Sequence, residues 1–249
     1  MPIDNFAELL AMVTVDSKDN GLEFTVKDRV EVIEHLLSES CYRLVAREPL
    51  ALIYAKHELG ENDDIVLVSS HVDCLYGRCF CCDEGEFFRG TFDNSFGNAA
   101  LLWCMLDGTL PDNAVLAFTG DEEKDSNGAM QALLALGRIG CNISSVIVLD
   151  VTNVGWDSSA YFTIENDSGF DLLHAYNIIS SLERYNGKFA FKHDAEPDES
   201  WDYAEYGIPC FTLCAPAIGE LHSDKGVLLR KESATEYCKV LSLLANTLS

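Results

Sequence analysis

The feature of this chain that most constrains its fold is an apolar run that ends in three consecutive acids. Residues 114–118 read Ala-Val-Leu-Ala-Phe, and a Thr-Gly pair leads from them into Asp121, Glu122 and Glu123. An unbroken apolar run bounded by turn residues is typical of a strand buried on both faces in a parallel sheet. Ligands of such sheets bind beyond the carboxyl ends of the strands. The acids therefore stand where a functional site is expected, although acids are also common in solvated loops and at helix starts.

Two further apolar runs end in polar residues in the same way. Residues 65–68 (Ile-Val-Leu-Val) precede His71 and Asp73, and residues 146–149 (Val-Ile-Val-Leu) precede Asp150. Segments with apolar residues at helical spacing separate these strands. The alternation predicts an α/β fold, a three-layer sandwich in which a central, mostly parallel mixed β-sheet is flanked by helices.

Shorter segments complete the predicted architecture. Residues 42–47 and 51–56 predict a hairpin, whereas the glycine-containing residues 74–91 predict a loop. Thr25 and Asp28 have the spacing of a capping pair at the start of a helix.

Composition narrows the class of protein. The chain is 48% hydrophobic and 10% aromatic, which is enough for a sizeable core. It has 17 Lys and Arg against 41 Asp and Glu, for a formal charge of −24. This balance argues against nucleic acids and anionic membranes as partners, because both are bound largely through Lys and Arg. No repeat or linker divides the chain, so we interpret residues 1–249 as a single domain.

The N-terminal sequence and the cysteines indicate a location. Residues 1–5 contain neither a basic region nor an apolar core, so no signal peptide is predicted, and no apolar run has the length of a membrane span. We therefore interpret the ten cysteines as mostly reduced thiols and expect a cytoplasmic protein. Cys79 and Cys82 have Cys-x-x-Cys spacing, but the sequence has no second such pair, so we do not expect the cluster Cys79, Cys81 and Cys82 to form a structural zinc site.

Potential metal ligands are expected to meet at the carboxyl edge of the sheet. Two of them, Asp93 and His222, lie in predicted loops that should reach this edge. Imidazole nitrogens and carboxylate oxygens are donors that Zn²⁺ takes at catalytic sites, and shared carboxylates allow two ions. Singly, each residue has an ordinary structural explanation: Asp93, for example, directly precedes Asn94, which is the predicted cap of a helix. The whole set of residues in this order indicates a metal site far more specifically than any one of them does.

The order of these motifs resembles the co-catalytic zinc exopeptidases, metallopeptidase clan MH, which include bacterial leucyl and glutamyl aminopeptidases and aminoacylase-like deacylases. The motifs are Ser70-His71-Val72-Asp73, residues 90–94, residues 119–123 with Gly128-Ala129, residues 149–152, and Leu221-His222-Ser223. The resemblance spans most of the chain and implies the sandwich fold described above.

The resemblance implies five metal ligands. His71 and Asp150 would hold one ion, Glu123 and His222 the other, and Asp93 would bridge both. The implied cofactors are two divalent metal ions, with Zn²⁺ expected and Co²⁺ or Mn²⁺ left open.

The resemblance also implies two residues with catalytic roles. Glu122 would be the general base that takes a proton from water, and Asp73 would orient His71 by accepting its second N–H. The implied activity is that of a metal-dependent aminopeptidase that hydrolyses the N-terminal residue from short peptides or amino-acid amides.

Two features depart from the family pattern. Ser70 stands where many relatives carry Gly. Only nineteen residues separate Asp73 from Asp93, and no large segment follows Asp150, so the lid or dimerisation insertion of larger relatives is missing. Substrate choice and assembly therefore stay open, and an oligomer is compatible with the sequence.

Without a lid, residues 74–91 are expected to form one wall of the substrate pocket. Five residues are candidates for substrate binding: Tyr76, Arg78, Ser200, Trp201 and Asp202. The aromatic residues of 74–91 could equally serve only to pack the loop, and residues 200–202 could be an ordinary helix start.

Other functions share the same motifs. N-acyl amino acid deacylation and carboxypeptidase cleavage use the same metal pair, so the motifs do not separate them from aminopeptidase activity. A single-zinc transferase resembling glutaminyl cyclase is disfavoured because both His71 and Asp150 are present. A non-catalytic binding module of the same fold is disfavoured because every ligand position is filled.

Overall fold

Strands and helices alternate along most of the chain in the computed structural model, which describes residues 5–15, 27–185 and 187–249. The helices are α1 (Phe6–Val13), α2 (Lys27–Leu37), α3 (Ser95–Leu106), α4 (Asn127–Ile139), α5 (Leu172–Tyr185), α6 (Glu199–Glu205) and α7 (Lys231–Leu248). The predicted capping pair at Thr25 and Asp28 lies partly outside the described residues, because Thr25 is not among them.

The strands form one mixed sheet with a parallel centre. They are β1 (Arg43–Glu48), β2 (Ala51–Ala55), β3 (Asp64–His71), β4 (Cys81–Glu84), β5 (Phe87–Gly90), β6 (Ala114–Thr119), β7 (Asn142–Thr152), β8 (Phe162–Ser168), β9 (Phe189–Lys192), β10 (Cys210–Gly219) and β11 (Val227–Arg230). The strand order is β1-β2-β6-β3-β7-β10-β11-β5-β4, and β8 pairs with β10 and β9. β6, β3, β7 and β10 are mutually parallel. The predicted α/β sandwich is thereby confirmed.

Alternate residues of the central strands face two separate apolar cores, as the two-residue period of a strand requires. Val66 and Val68 of β3 pack into the core that contains α1, α3 and α7. Leu67, between them, packs into the core on the opposite face, with Ala132 of α4 and Tyr203 of α6. Helices therefore cover both faces of the sheet, and its carboxyl edge is left for the polar residues.

The prediction of a loop over residues 74–91 is wrong in its second half. β4 and β5 form a hairpin in which Cys81 lies opposite Gly90, and β5 also pairs with β11. Gly85 supplies the turn with φ of +70°. The exposed polar sequence of β4 hides the strand because it lacks the apolar alternation by which half-buried strands are recognised.

None of the helices in the described part of the chain combines the length and the apolar character that crossing a membrane requires.

Candidate metal centre

Five parts of the fold bring the predicted ligands to one edge of the sheet. His71 ends β3, and Asp150 lies near the end of the neighbouring strand β7. The Glu122–Glu123 pair follows β6, Asp93 immediately precedes the cap of α3, and His222 follows β10. Parallel pairing of β6, β3, β7 and β10 makes these positions converge.

The ligand atoms form two sets that share one carboxylate. His71 Nε2 lies 3.2 Å from Asp93 Oδ1 and 3.7 Å from Asp150 Oδ1. His222 Nε2 lies 2.9 Å from Asp93 Oδ2 and 3.4 Å from Glu123 Oε2. Within each set, one ligand atom from each residue lies within 4.8 Å of the others. Asp93 thus turns one oxygen toward each set, which is the arrangement expected of a bridging carboxylate.

Asp93 is held in place through Asn94, to which a cis peptide bond joins it. The Asn94 side chain caps α3 by accepting a hydrogen bond from Gly97 N at 3.0 Å. It also donates to Leu149 O at 2.6 Å and to Ser70 Oγ at 3.4 Å. The start of α3 is therefore tied to β7 and β3, and the Ser70 hydroxyl takes part in this tie.

Asp73 contacts residues of both ligand sets, His71 of one and Glu123 of the other. Its Oδ1 is 3.4 Å from His71 Nδ1, and its Oδ2 accepts a hydrogen bond from Glu123 N at 3.2 Å. Glu122 places Oε2 3.9 Å from His71 Nε2 and faces a cavity. Both glutamates line this cavity, and Glu123 also lies against His222.

Burial and mutual repulsion shift the pKa values of the acids. Burial raises the pKa of Glu122 to about 9 and that of Glu123 to about 8, and the Asp93 carboxylate adds to both shifts. Burial also raises the pKa of Asp150 to about 6. The hydrogen bond to Asp93 raises the pKa of His222 to about 9. Five acidic and imidazole groups thus share a volume in which their charges are poorly compensated.

The centre fits divalent metal ions on its own geometry. Two of its polar atoms, His71 Nε2 and Glu123 Oε1, are buried without a hydrogen-bond partner among the described residues. Each unpaired buried polar group costs about 1–3 kcal/mol, so such atoms need a ligand to satisfy them. Imidazole nitrogen with carboxylate oxygen is a donor set that suits Zn²⁺ and related transition metals.

A cavity of about 750 Å³ opens onto the centre. Of the five predicted substrate-binding residues, Trp201 and Asp202 line it, whereas Tyr76, Arg78 and Ser200 do not. None of residues 74–91 contributes to its lining, so the expected wall from that segment is not formed around this cavity.

The remaining three residues have other surroundings. Tyr76 is buried close to Asp93 and His222, behind the cavity, and burial raises its pKa. Arg78 is exposed. Ser200 is buried, and its backbone N–H and hydroxyl donate to the Asp198 carboxylate at the start of α6.

Glu199 is a buried acid near the centre that sequence reasoning missed. It is fully buried, and its Oε2 accepts a hydrogen bond from Ser69 Oγ at 2.9 Å. Ser69 Oγ in turn accepts a hydrogen bond from the Tyr203 hydroxyl at 3.0 Å. Burial raises the pKa of Glu199 to about 7. No local signal marks this residue, because an acid in the first turn of a helix is commonplace.

Arg29 is a second residue that the sequence reasoning missed. It is fully buried on α2, where its Nε donates to Val13 O at 3.0 Å and its Nη1 donates to Val72 O at 2.8 Å. Val72 separates His71 from Asp73, so Arg29 fixes the backbone that carries both. Its position in the sequence could have indicated burial, because Arg29 is four residues before Ile33 and therefore lies on the same apolar face of the helix.

Comparison with known proteins establishes the fold. No protein-family model matches the sequence, and no curated protein matches it in sequence. Many solved structures share the fold. The TET aminopeptidase of a marine sediment Thaumarchaeota archaeon has a TM-score of 0.78 at 10% identity over 99% of both chains. The Pyrococcus horikoshii TET1 peptidase has a TM-score of 0.73 at 14% identity, with 97% of this chain and 99% of that chain covered. A Thermotoga maritima protein described as an endoglucanase has a TM-score of 0.66 at 12% identity, over 98% and 99%. At these identities the chain is similar to all three in architecture.

Proposed function

We propose that this chain is a metal-dependent aminopeptidase that removes the N-terminal residue from short peptides. The observation that carries the proposal is the pair of ligand sets that share Asp93 beside a cavity-facing Glu122. The structural neighbours described as aminopeptidases support the same activity.

Two divalent ions, with Zn²⁺ expected and Co²⁺ or Mn²⁺ as alternatives, would be held at this centre. His71, Asp93 and Asp150 would hold one, and Asp93, Glu123 and His222 the other. Such ions supply Lewis acidity to a peptide carbonyl and lower the pKa of water toward neutrality.

Residues of the chain then transfer a proton from the attacking water to the leaving group. Glu122 accepts a proton from the attacking water as a C–O bond forms at the peptide carbonyl, and it delivers that proton to the departing nitrogen as the C–N bond breaks. Asp73 keeps the His71 ring oriented from 3.4 Å away. Removal of the base should therefore stop turnover without emptying the centre.

Other activities are less well supported. Deacylation of N-acyl amino acids and carboxypeptidase cleavage would use the same centre and are separated from the aminopeptidase only by the substrate. Glycoside hydrolysis, the activity in the name of one neighbour, uses a pair of carboxylates and gives no role to His71 and His222. A non-catalytic module would have no use for a cavity-facing base.

We further propose that residues 1–249 act as one catalytic domain in the cytoplasm. No disulfide joins any of the ten cysteines, all of which lie in the described ranges, as expected in a reducing compartment. The Pyrococcus horikoshii TET1 peptidase assembles into a tetrahedron or an octahedral shell, so self-assembly of this chain is part of the proposal.

A substrate panel tests the activity. The protein, loaded in turn with Zn²⁺, Co²⁺ and Mn²⁺, is assayed on leucyl- and lysyl-anilide, on the same compounds with their α-amines acetylated, and on N-acetyl-leucine and Nα-acetyl-lysine. We expect cleavage among the compounds with a free α-amine alone and loss of that cleavage after chelation. Faster hydrolysis of the N-acetyl amino acids would assign a deacylase instead, and inactivity on every compound with every metal would favour the binding module.

A further inference from the structure

The cavity extends from the metal centre across one face of the sheet. Asp150 of β7, Cys214 of β10 and Glu165 of β8 all line it. The strand order β7-β10-β8 places Glu165 two strands away from Asp150, roughly 10 Å across the sheet. One amino-acid residue with an extended side chain can span this distance. The cavity is therefore placed to receive the side chain of a residue whose carbonyl lies at the centre.

The part of the cavity beyond the metal centre is strongly acidic. Its carboxylates are Asp125, Glu165, Glu196, Asp198, Asp202 and Glu205, and its ammonium groups are Lys124 and Lys192. Within the described ranges, none of these six carboxylates forms a salt bridge with Lys or Arg. With six carboxylates against two ammonium groups, this part of the pocket carries a net negative charge.

Glu165 is the buried member of this set. Its side chain belongs to a residue only 4% exposed, and its Oε1 accepts a hydrogen bond from Thr163 Oγ1 at 2.6 Å. Lys192 lies opposite it in the β8–β9 register and attracts its charge, but it is exposed and forms no salt bridge with Glu165. Burying a carboxylate without a close counter-ion is costly, and a cation entering the cavity would reduce that cost.

Asp198 and Trp201 shape the surroundings of Glu165. Asp198 Oδ2 accepts hydrogen bonds from Thr212 Oγ1 at 2.6 Å and Asn166 Nδ2 at 3.1 Å, so this carboxylate is fixed and already satisfied. Trp201, 51% exposed, lines the same cavity from α6. An indole face attracts cations and covers the methylene stem of a long basic side chain.

We propose that this cavity binds the side chain of the substrate's N-terminal residue and that Glu165 selects lysine or arginine there. The inference rests on the proposed aminopeptidase function. It goes further by naming basic residues as the class of side chain and Glu165 as the residue that determines it.

The test compares reaction products that differ only in side-chain charge. Binding of lysine and norleucine, and of arginine and citrulline, to the metal-loaded protein is measured by calorimetry. Each pair shares its α-amine and carboxylate, so attraction of the acidic chain for those groups cancels, and the variants below separate Glu165 from a general attraction for the side-chain charge. We expect each basic member to bind roughly tenfold or more tightly than its neutral partner, because a hydrogen bond to a charged group contributes about 1.5–3 kcal/mol.

A matched pair of variants tests whether Glu165 causes the preference for the basic side chain. Glu165→Gln should bring the lysine-to-norleucine ratio of affinities close to one. Glu183→Gln, an equivalent change at an exposed position of α5, should leave the ratio at the wild-type value.

Two results would overturn the inference: equal affinity for both members of each pair in the wild-type protein, or an unchanged ratio in folded Glu165→Gln. The wild-type comparison decides the matter even where that variant fails to fold. Because binding is measured without turnover, inactivity toward every peptide would count against the proposed function alone.

Discussion

At the scale of single residues, the centre is defined by carboxyl groups whose charges the protein does not balance. Glu122, Glu123 and Asp150 have pKa values raised by burial, and the same centre contains two histidines that hold protons tightly. For His71, burial opposes protonation, but the surrounding carboxylates outweigh it and raise its pKa. Divalent ions would displace the protons that these groups hold, so the affinity for metal should depend on pH.

We predict that the metal-free protein loses stability as the pH rises from about 6.5 to 9. With pKa values of about 9 and 8, folded Glu122 and Glu123 keep protons that the unfolded chain has already released near pH 4.5. His222, with a pKa of about 9 in the folded state, contributes stability below about pH 6.5 that is gone above pH 9. Asp93 has a lowered pKa, so its contribution is lost only in acid.

Thermal melting of chelated and metal-loaded protein between pH 6 and pH 9 measures this linkage. The stabilisation by metal should grow with pH, because fewer protons have to be displaced. Glu122→Gln should show a shallower decline in its metal-free form. A melting temperature of the metal-free protein that rises over this range would contradict the assignment.

At the scale of elements, the start of α3 joins the site to the sheet. We predict that Asn94→Ala lowers the free energy of unfolding by about 1–3 kcal/mol, because it removes the cap and leaves the Leu149 carbonyl unpaired. Asn177→Ala on the exposed face of α5 is the matched control and should change stability by about 0.5 kcal/mol or less. Urea unfolding of both variants gives the comparison, and equal effects would mean that the Asn94 side chain does not fasten α3.

The elements also show how far the sequence could be interpreted. β3, β6 and β7 were predictable because strands buried on both faces are unbroken apolar runs. Short strands such as β4 and β9 were missed because their exposed residues break that pattern. The five proposed metal ligands could be grouped because parallel strands end at one edge. Glu199 could not, since its partner Ser69 is 130 residues away and only folding brings them together.

At the scale of the whole molecule, the sheet concentrates negative charge at one edge of an already acidic chain. The chain has a net charge of −24, and the cavity gathers carboxylates around the candidate metal centre. The segment from Asp73 to Asp93 contains only a short hairpin instead of an inserted domain, and none of residues 74–91 lines the cavity.

The measurement that tests the central claim most directly is metal content determined together with turnover for the wild-type protein and Glu122→Gln. After saturation with Zn²⁺ and removal of excess ions, both proteins should retain about two ions per chain. Turnover of lysyl-anilide, or of leucyl-anilide if it is the better substrate, should fall in the variant by about 10²- to 10⁴-fold, the usual contribution of a general base. Full activity of the variant, or a wild-type protein that retains no metal, would contradict the account.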